Sequence, residues 1–161
     1  MDSAAAVLDL RDGVEAVYRA DAERLWRAVY AFAGDAEIAS DSVAEAFVQL
    51  LHRGEGVRDP AAWAWRAAFR IAAGALKSGR STTAQAVEAA REHTDRYSDP
   101  DLIAALRGLP EAQRAAVILF YFGDFPVREI AARLGSNSLA VRANLSRGRR
   151  GLRRLLGDGH G

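Results

Sequence analysis

The stretch GSNSLAVRANLSRGRRGLRR, residues 135–154, combines an apolar pattern with an unusual charge. Its last seventeen residues contain six arginines and no acidic residue. Val141, Leu145 and Leu152 nevertheless recur at helical spacing, which predicts a helix with one side packed into a core. Surface helices usually mix charges of both signs. The flanks of this helix are therefore typical of a surface that binds a polyanion.

The segments on either side of Gly135 have the spacing of a helix-turn-helix. The preceding segment places apolar residues at i, i+3, i+4 and i+7: Val127, Ile130, Ala131 and Leu134. Gly135 permits the positive φ of a tight turn, and Asn137 can cap the next helix. The stripe of that helix is formed by Val141, Leu145, Gly148, Leu152 and Leu155. Such a helix can lie in the major groove of DNA, with its later arginines on phosphates. A solvated surface helix is the alternative.

The rest of the chain is predicted to be helical, because no segment sustains the two-residue alternation of a strand. Apolar periodicity, glycine stops and Asp or Pro starts predict helices over 14–33, 35–52, 59–78, 102–106, 110–122 and 126–134. The polar stretch between Ser78 and Pro100 predicts a linker with a short helix near Ala84–His93. We expect an all-α fold in which two small helical domains, 1–80 and 101–161, are joined by a flexible linker, 81–100.

Charge is unevenly distributed along the 161 residues, whose overall net charge is +1. Residues 101–161 contain 10 basic and 5 acidic residues, a net of +5. Residues 1–80 contain 10 basic and 12 acidic residues, a net of −2. The basic C-terminal third is therefore predicted to bind a polyanion.

The chain lacks the residues that are characteristic of several classes of function. The chain has no cysteine, which excludes disulfides, thiolate metal sites and cysteine nucleophiles and fits a reducing cytoplasm. The three histidines, His52, His93 and His160, lie in separate segments, and no phosphate-binding glycine loop or nucleophile elbow occurs. No apolar run resembles a signal peptide or reaches the ~20 residues of a membrane helix. We expect a cytoplasmic protein with no enzymatic activity, metal, cofactor or membrane insertion.

The C-terminal motif resembles region 4 of the extracytoplasmic-function sigma factors of bacterial RNA polymerase. The family's Leu-Pro-x-x-Gln-Arg pattern matches Leu109, Pro110, Gln113 and Arg114. Its later motifs match Glu129, Ile130, Ala131, Gly135, Val141, Leu145, Ser146 and Arg147. The resemblance implies that this module reads the −35 promoter element through Ser138, Leu139, Arg142, Asn144, Arg147, Arg149 and Arg150, and that its domain meets the β flap of the polymerase.

Three positions depart from the family pattern in this motif. Ala140 stands where threonine is usual, Asn144 where arginine is frequent, and Gly148 where alanine is usual. The first two lie where bases or phosphates would be contacted, so the preferred DNA sequence cannot be taken over from the family. Glycine inside a helix is expected to cost up to ~1 kcal/mol relative to alanine, so Gly148 predicts a less stable helix.

Residues 35–51 resemble sigma region 2.2, which in the family binds the coiled coil of the polymerase β′ subunit. Asp41, Glu45 and Phe47 match the pattern of that region, whereas Ala44 replaces its usual glutamine. Asp41 and Glu45 are spaced i, i+4, so both carboxylates leave one face of a helix. The resemblance implies a polymerase-binding surface at Asp41, Glu45 and Phe47. A solvated acidic face is the alternative.

Residues 59–80 resemble sigma regions 2.3 to 2.4, which melt and hold the −10 promoter element. The apolar spacing predicts a core face at Trp65, Phe69, Ala72 and Leu76. A nearly opposite face carries Trp63, Arg66, Arg70 and Lys77, which Arg80 can extend. One aromatic ring among cations suits single-stranded DNA, because bases stack on the ring while cations bind phosphates. Burial of Trp63 against the preceding loop is an equally weighted alternative.

Three hypotheses of function follow. In the first, the chain is a transcription initiation factor that binds core RNA polymerase, directs it to specific promoter DNA and helps to open −10 DNA. The resemblance also implies inhibition by an anti-sigma factor. In the second, it is a stand-alone helix-turn-helix regulator that never engages polymerase. In the third, which the substitutions at Ala44, Ala140 and Asn144 leave open, it is a degenerate sigma paralogue that acts through protein–protein interaction.

Overall fold

The computed structural model describes residues 2–79 and 99–157, and all regular structure in these two ranges is helical. Seven α-helices and one 3-10 turn form this part of the chain: α1 Asp2–Ala33, α2 Ala36–Arg53, the 3-10 turn Gly54–Gly56, α3 Pro60–Lys77, α4 Pro100–Arg107, α5 Glu111–Tyr121, α6 Val127–Leu134 and α7 Ser138–Gly157. The all-α prediction is therefore confirmed. The predicted linker and its short helix near Ala84–His93 lie largely outside the described residues.

Most helix ends lie where the sequence places a glycine or a capping aspartate. Gly34 ends α1 with φ of 68°. Asp35 begins α2, where its side chain accepts a hydrogen bond of 3.0 Å from the Ile38 N–H. Asp59 caps α3 in the same way, accepting from the Ala62 N–H at 3.1 Å, with Pro60 at the first helical position. Each aspartate satisfies a backbone donor that the first helical turn leaves without a partner.

The first helix is longer than predicted. The apolar pattern predicts a start near Val14, whereas α1 begins at Asp2. In the added segment Val7 and Leu8 are exposed, whereas Leu10 is half-buried and packs against the core. The segment contains Ala4, Ala5 and Ala6, and alanine is the strongest helix former. Helix propensity and the apolar contact of Leu10, one turn before Val14, are thus the signals that were missed.

Helices α1 to α3 pack against one another and are called the N-terminal bundle here. Its core contains Leu25, Phe32, Leu50 and Trp65, all almost fully buried. The Trp65 indole N–H donates to an Asp21 carboxylate oxygen at 2.9 Å, which satisfies its one polar atom. The predicted core face of α3 is confirmed at Trp65, Phe69 and Ala72, and Leu76 is half-buried.

Helices α4 to α7 form a second unit, the C-terminal bundle. Its core is supplied by Leu106, Ile118, Leu119, Ile130 and Val141, each almost fully buried. The two bundles also contact each other: α3 packs on α6, and the end of α1 meets α4 and α5. The buried apolar residues of both bundles form one continuous cluster. None of the described helices is long and apolar enough to cross a membrane.

Candidate nucleic-acid interface

Helices α6 and α7 form the predicted helix-turn-helix. Gly135 takes the left-handed conformation at the end of α6, with φ of 64° and ψ of 38°. The Asn137 side-chain oxygen then accepts a hydrogen bond of 2.9 Å from the Ala140 N–H at the start of α7. A left-handed residue is inexpensive only for glycine, and asparagine is among the preferred helix caps. Two residues thus set the angle at which α7 leaves the turn.

The inner side of α7 docks on the C-terminal bundle as the apolar stripe predicts. The last residue of the predicted stripe is the exception. Val141, Leu145 and Gly148 are buried and Leu152 is half-buried. Leu155 is 41% exposed, which corrects its predicted place in the core. The buried side shifts toward Gly151 instead, because a 3.6-residue helix drifts away from a strict seven-residue repeat. The stripe therefore fixes the rotation of α7 about its axis.

Gly148 and Gly151 let α7 approach the neighbouring chain closely. A Cβ added at Gly148 would lie 2.6 Å from Val117 Cγ2, and one at Gly151 would lie 2.5 Å from Leu109 Cδ2. Real Cβ atoms essentially never show such distances. The expectation that Gly148 merely weakens the helix is therefore incomplete, because this position has no room for alanine.

The outward side of α7 is basic and open. Leu139 is 78% exposed, and Arg142, Ser146 and Arg150 follow it along the same exposed side. Arg147 and Arg154 lie on one flank, where they line a shallow pocket with the α4–α5 turn. A helix with this exposure can enter a major groove while its arginines meet phosphates.

Three of the residues predicted to contact the −35 element are less free than the others. Arg149 donates to the Tyr121 hydroxyl at 2.8 Å, and its guanidinium lies 5.1 Å from the Phe120 ring centroid. Asn144 is half-buried and faces the cleft between the bundles. Ser138 is half-buried at the first turn of α7. The freest predicted side chains are therefore Leu139, Arg142, Arg147 and Arg150.

The predicted −10 face of α3 is divided between two cavities. Trp63 is half-buried and lines a cavity of about 390 Å³ with the loop that precedes α3. Arg70 and Lys77 are exposed and line a cleft of about 890 Å³ between the bundles. Arg66 contributes to both cavities, and its guanidinium donates to the Ala132 carbonyl of α6 at 2.7 Å. Arg80 lies outside the described residues.

The predicted polymerase-binding face of α2 retains its two acids but not its aromatic residue. Asp41 and Glu45 are exposed on the outer side, where Glu45 accepts a hydrogen bond of 3.1 Å from the Gln49 amide. Phe47 is only 6% exposed and packs edge-on against Tyr18, with ring centroids 5.1 Å apart. Phe47 is thus corrected from a surface contact to a core residue that holds α2 on α1.

Comparison with known proteins agrees with this geometry. The family model "Sigma-70, region 4" matches residues 100–152, which contain the helix-turn-helix. The RNA polymerase sigma factor SigV of Bacillus subtilis (strain 168) is 28% identical over 129 residues, which cover 76% of this chain and 78% of that protein. A third likeness, to a solved structure, concerns the fold.

The structure of the sigma factor RpoE in complex with the anti-sigma factor NepR from Bartonella quintana aligns with 92% of this chain and 97% of that chain. Its TM-score is 0.59 at 22% sequence identity. Both bundles are therefore included in the shared fold. Over residues 100–152 the chain thus matches sigma-70 region 4, and over most of its length it is similar to an RNA polymerase sigma factor.

Sequence reasoning missed the residues that join the two bundles of this chain. Arg107 and Arg114 donate to carbonyls at the end of α1, across 74 and 82 residues of sequence. Phe125 packs on Trp65, with ring centroids 4.9 Å apart. No periodicity signals contacts at such separations. Of these residues, only Arg114 stands in a recognisable motif, the Leu-Pro-x-x-Gln-Arg pattern.

Proposed function

We propose that the chain is a sigma factor that binds core RNA polymerase through the acidic side of α2, reads −35 duplex DNA with α7 and helps to open −10 DNA with α3. The observation that carries the proposal is the outward side of α7, which is basic, exposed and free of acidic residues on a helix-turn-helix frame. The likeness to sigma factors supports the directing of polymerase to promoters. We propose in addition that each of the three helices has its own step and that the protein acts in the cytoplasm.

For α7, exposure and charge support duplex binding. Phosphate contacts by arginine supply most of the sequence-independent affinity for DNA, and residues near the helix start read base edges. Arg142 lies one turn into α7 and is exposed, so its guanidinium can reach either a base or a phosphate. Leu139 precedes it on the same side and can contact a thymine methyl group.

For α3, the cavity beside Trp63 supports capture of an unpaired base. The indole forms one wall of that cavity, and Arg53, Arg58 and Arg66 add positive charge around it. A base stacked on an aromatic ring gains about 1–3 kcal/mol, and neighbouring cations can hold its phosphates. Half-burial of Trp63 fits this use, because a wall of a pocket is covered on one side and open on the other.

The first test combines binding to polymerase with transcription. The purified chain is mixed with core RNA polymerase, separated by gel filtration and assayed for run-off transcripts on genomic promoter fragments. We expect co-elution and transcripts from a subset of promoters. A chain that binds DNA without co-elution would be a stand-alone regulator. Co-elution without promoter-specific transcripts would indicate a paralogue that acts through protein contacts alone.

The same holoenzyme separates the roles of α7 and α3. Arg142→Ala should weaken duplex binding, whereas Trp63→Ala should leave duplex binding unchanged and slow promoter opening, measured with a fluorescent base in the −10 region. The loss of stacking predicts a weakening of roughly 1–3 kcal/mol at the captured base.

Two control variants accompany the pair. Arg11→Ala removes the same charge as Arg142→Ala from an exposed position in α1 and should change neither step. Trp63→Phe keeps an aromatic wall and should retain most of the opening rate. Unchanged opening in Trp63→Ala would show that α3 does not capture the base.

A further inference from the structure

The cleft between the two bundles is large enough to hold a small molecule. Its volume of about 890 Å³ lies within the roughly 300–1,000 Å³ that is usual for ligand pockets. Helix α3 forms one wall, and the start of α5, the α6–α7 turn and α7 form the other. Ala73 and Gly74 on the α3 wall leave this space unfilled, because a Cβ built at Gly74 meets nothing within 4 Å. The cleft is therefore open space between the two walls.

The lining of the cleft is cationic. Arg70 and Lys77 are exposed on the α3 wall, about two helical turns apart. In the part of the chain that the structure describes, neither forms an ion pair with an acidic residue. Arg66 and the buried Arg133 also line the cleft, whereas Glu111 is the one acidic residue among the described lining residues. This excess of positive charge favours a ligand with two or more negative charges.

The start of α5 adds a second preference for anions. Glu111 and Ala112, its first two residues, line the cleft. The first N–H groups of a helix have no intrahelical acceptor, and the positive end of the helix dipole lies there. Pro110 at the cap position provides no side-chain acceptor for them. Anionic oxygens in the cleft can therefore accept hydrogen bonds from α5 as well as from the cations of α3.

The floor of the cleft is apolar. Phe32, Phe69 and Val141 line it and are almost fully buried, and the rings of Phe32 and Phe69 have centroids 5.2 Å apart. Asn144 lies beside them and is half-buried, and its amide can both donate and accept hydrogen bonds. An inorganic anion would use the cations but not this floor. The floor and the amide together fit a flat heterocycle that has donors and acceptors on its edge.

We propose that the cleft binds a nucleoside diphosphate or triphosphate, with the phosphates near Arg70 and Lys77 and the base between the apolar floor and Asn144. Charge and shape favour this class of ligand over others. A fatty acid has one negative charge and no use for the amide, and pyrophosphate has no use for the floor. The site goes beyond the proposed function, because nothing in it requires DNA or polymerase.

A nucleotide within the −10 strand has the same chemistry as a free nucleotide. The proposed −10 face, however, consists of α3 side chains, Arg70 and Lys77 among them. The cleft adds Glu111, Arg133 and Asn144, which belong to the C-terminal bundle. Groups on two facing walls favour a compact ligand that fits between them. A single strand is therefore tested as a competing ligand.

Calorimetric titration of the full chain, without DNA or polymerase, measures the binding. The probes are ADP and GDP, and pyrophosphate and adenosine represent the two halves of ADP. We expect one nucleotide per chain and an affinity at least about tenfold above that of either half, because the halves contact different parts of the cleft. Absence of nucleotide binding, or equally tight binding of pyrophosphate, would overturn the proposal.

Gly74→Leu locates the bound nucleotide without changing any charge. The leucine side chain extends from α3 into the open space and should abolish nucleotide binding by filling it. Gly13→Leu in α1 is the matched control, since a Cβ there also meets nothing within 4 Å, and it should bind nucleotide like the parent chain. Both variants replace a helical glycine with a stronger helix former, and urea unfolding verifies that both are folded. Nucleotide binding that persists in Gly74→Leu would contradict the site.

A double variant tests the cations of the cleft. Arg70→Ala with Lys77→Ala should weaken nucleotide binding by up to about twentyfold, because each exposed charge pair contributes up to roughly fivefold. Arg11→Ala with Arg128→Ala removes two exposed charges outside the cleft and should leave the affinity unchanged. Equal losses in the two double variants would indicate general attraction to positive charge, and the assignment to the cleft would be wrong.

A short single-stranded oligonucleotide distinguishes the two sources of a nucleotide. We expect it to bind the parent chain more weakly than ADP or GDP and to be unaffected by Gly74→Leu. Tighter oligonucleotide binding that is lost in Gly74→Leu would assign the cleft to a DNA strand and overturn the proposal. Failure of nucleotide binding leaves the proposed role of α3 intact, because promoter opening is measured separately in the holoenzyme.

Discussion

At the scale of single residues, Gly148 shows how a contact can reverse an intrinsic preference. Alanine is favoured over glycine inside helices by about 0.5–1 kcal/mol. At Gly148, however, the added methyl group would lie 2.6 Å from Val117 Cγ2 and 3.4 Å from the Gln113 carbonyl oxygen. The short, branched valine side chain has little freedom to move away. The close packing of α7 on α5 thus favours glycine over alanine at position 148.

Gly148→Ala is therefore expected to lower the free energy of unfolding. Overpacking of this kind typically costs about 1–3 kcal/mol, which outweighs the gain in helix propensity. Gly13→Ala in α1 is the matched control, since a Cβ there meets nothing within 4 Å. It should raise the free energy of unfolding by up to about 1 kcal/mol. Urea denaturation of both variants measures the difference, and an equal gain in both would contradict the close contact.

The same residue marks a limit of prediction from sequence. The spacing of Val141, Leu145 and Gly148 predicts the docked side of α7, and with it the exposure of Arg142 and Arg150. It cannot predict how near another helix comes, because that distance depends on residues far away in sequence. The sequence thus predicted which residues of α7 form the site and which side of the helix they are on. It did not predict the residues of other helices that contact α7.

At the scale of helices, ends were easier to predict than contacts. An aspartate before an apolar periodic segment predicts a start, and a glycine after it predicts a stop, because both signals are local. Asp35, Gly34 and Gly135 act in this way. The start of α1 has no such signal, and among residues 4–13 only Ala6 and Leu10 are half-buried. Local signals therefore predict where helices begin and end, but they do not predict how the helices pack together.

The cap of α3 gives a test at this scale. Asp59→Ala removes the acceptor for the Ala62 N–H, which should cost about 0.5–2 kcal/mol of stability. Asp59→Asn keeps a side-chain oxygen at the same place and should retain most of that stability. Thermal or urea unfolding of the two variants provides the comparison. An equal loss in both would mean that the charge of Asp59, not its hydrogen bond, stabilises α3.

At the scale of the whole molecule, the two bundles share one apolar cluster although residues 1–80 and 101–161 were predicted as separate domains. Phe125 helps to join them, since its ring meets Trp65 and Arg24 of the N-terminal bundle as well as Arg133 of its own bundle. Its burial follows from both halves together. Neither half alone predicts it, which is why the sequence indicated two domains and the structure shows them joined.

Coupling through Phe125 predicts how the molecule unfolds. The three tryptophans, Trp26, Trp63 and Trp65, lie in the N-terminal bundle, so their fluorescence reports on that bundle, whereas circular dichroism reports on helices of both. In the parent chain the two thermal transitions should coincide, as expected of one cooperative unit. Phe125→Ala should separate them, because the joining contact is lost while each bundle keeps its own core.

Phe120→Ala is the control for that experiment. Phe120 is half-buried within the C-terminal bundle, where it packs on Tyr121 and under Arg149. Its truncation removes the same ring without touching the other bundle, so both transitions should fall together. Coincident transitions in Phe125→Ala would show that the arginines at the helix ends suffice to couple the bundles. The coupling would then depend on the hydrogen bonds that Arg66, Arg107 and Arg114 donate to carbonyls of the other bundle.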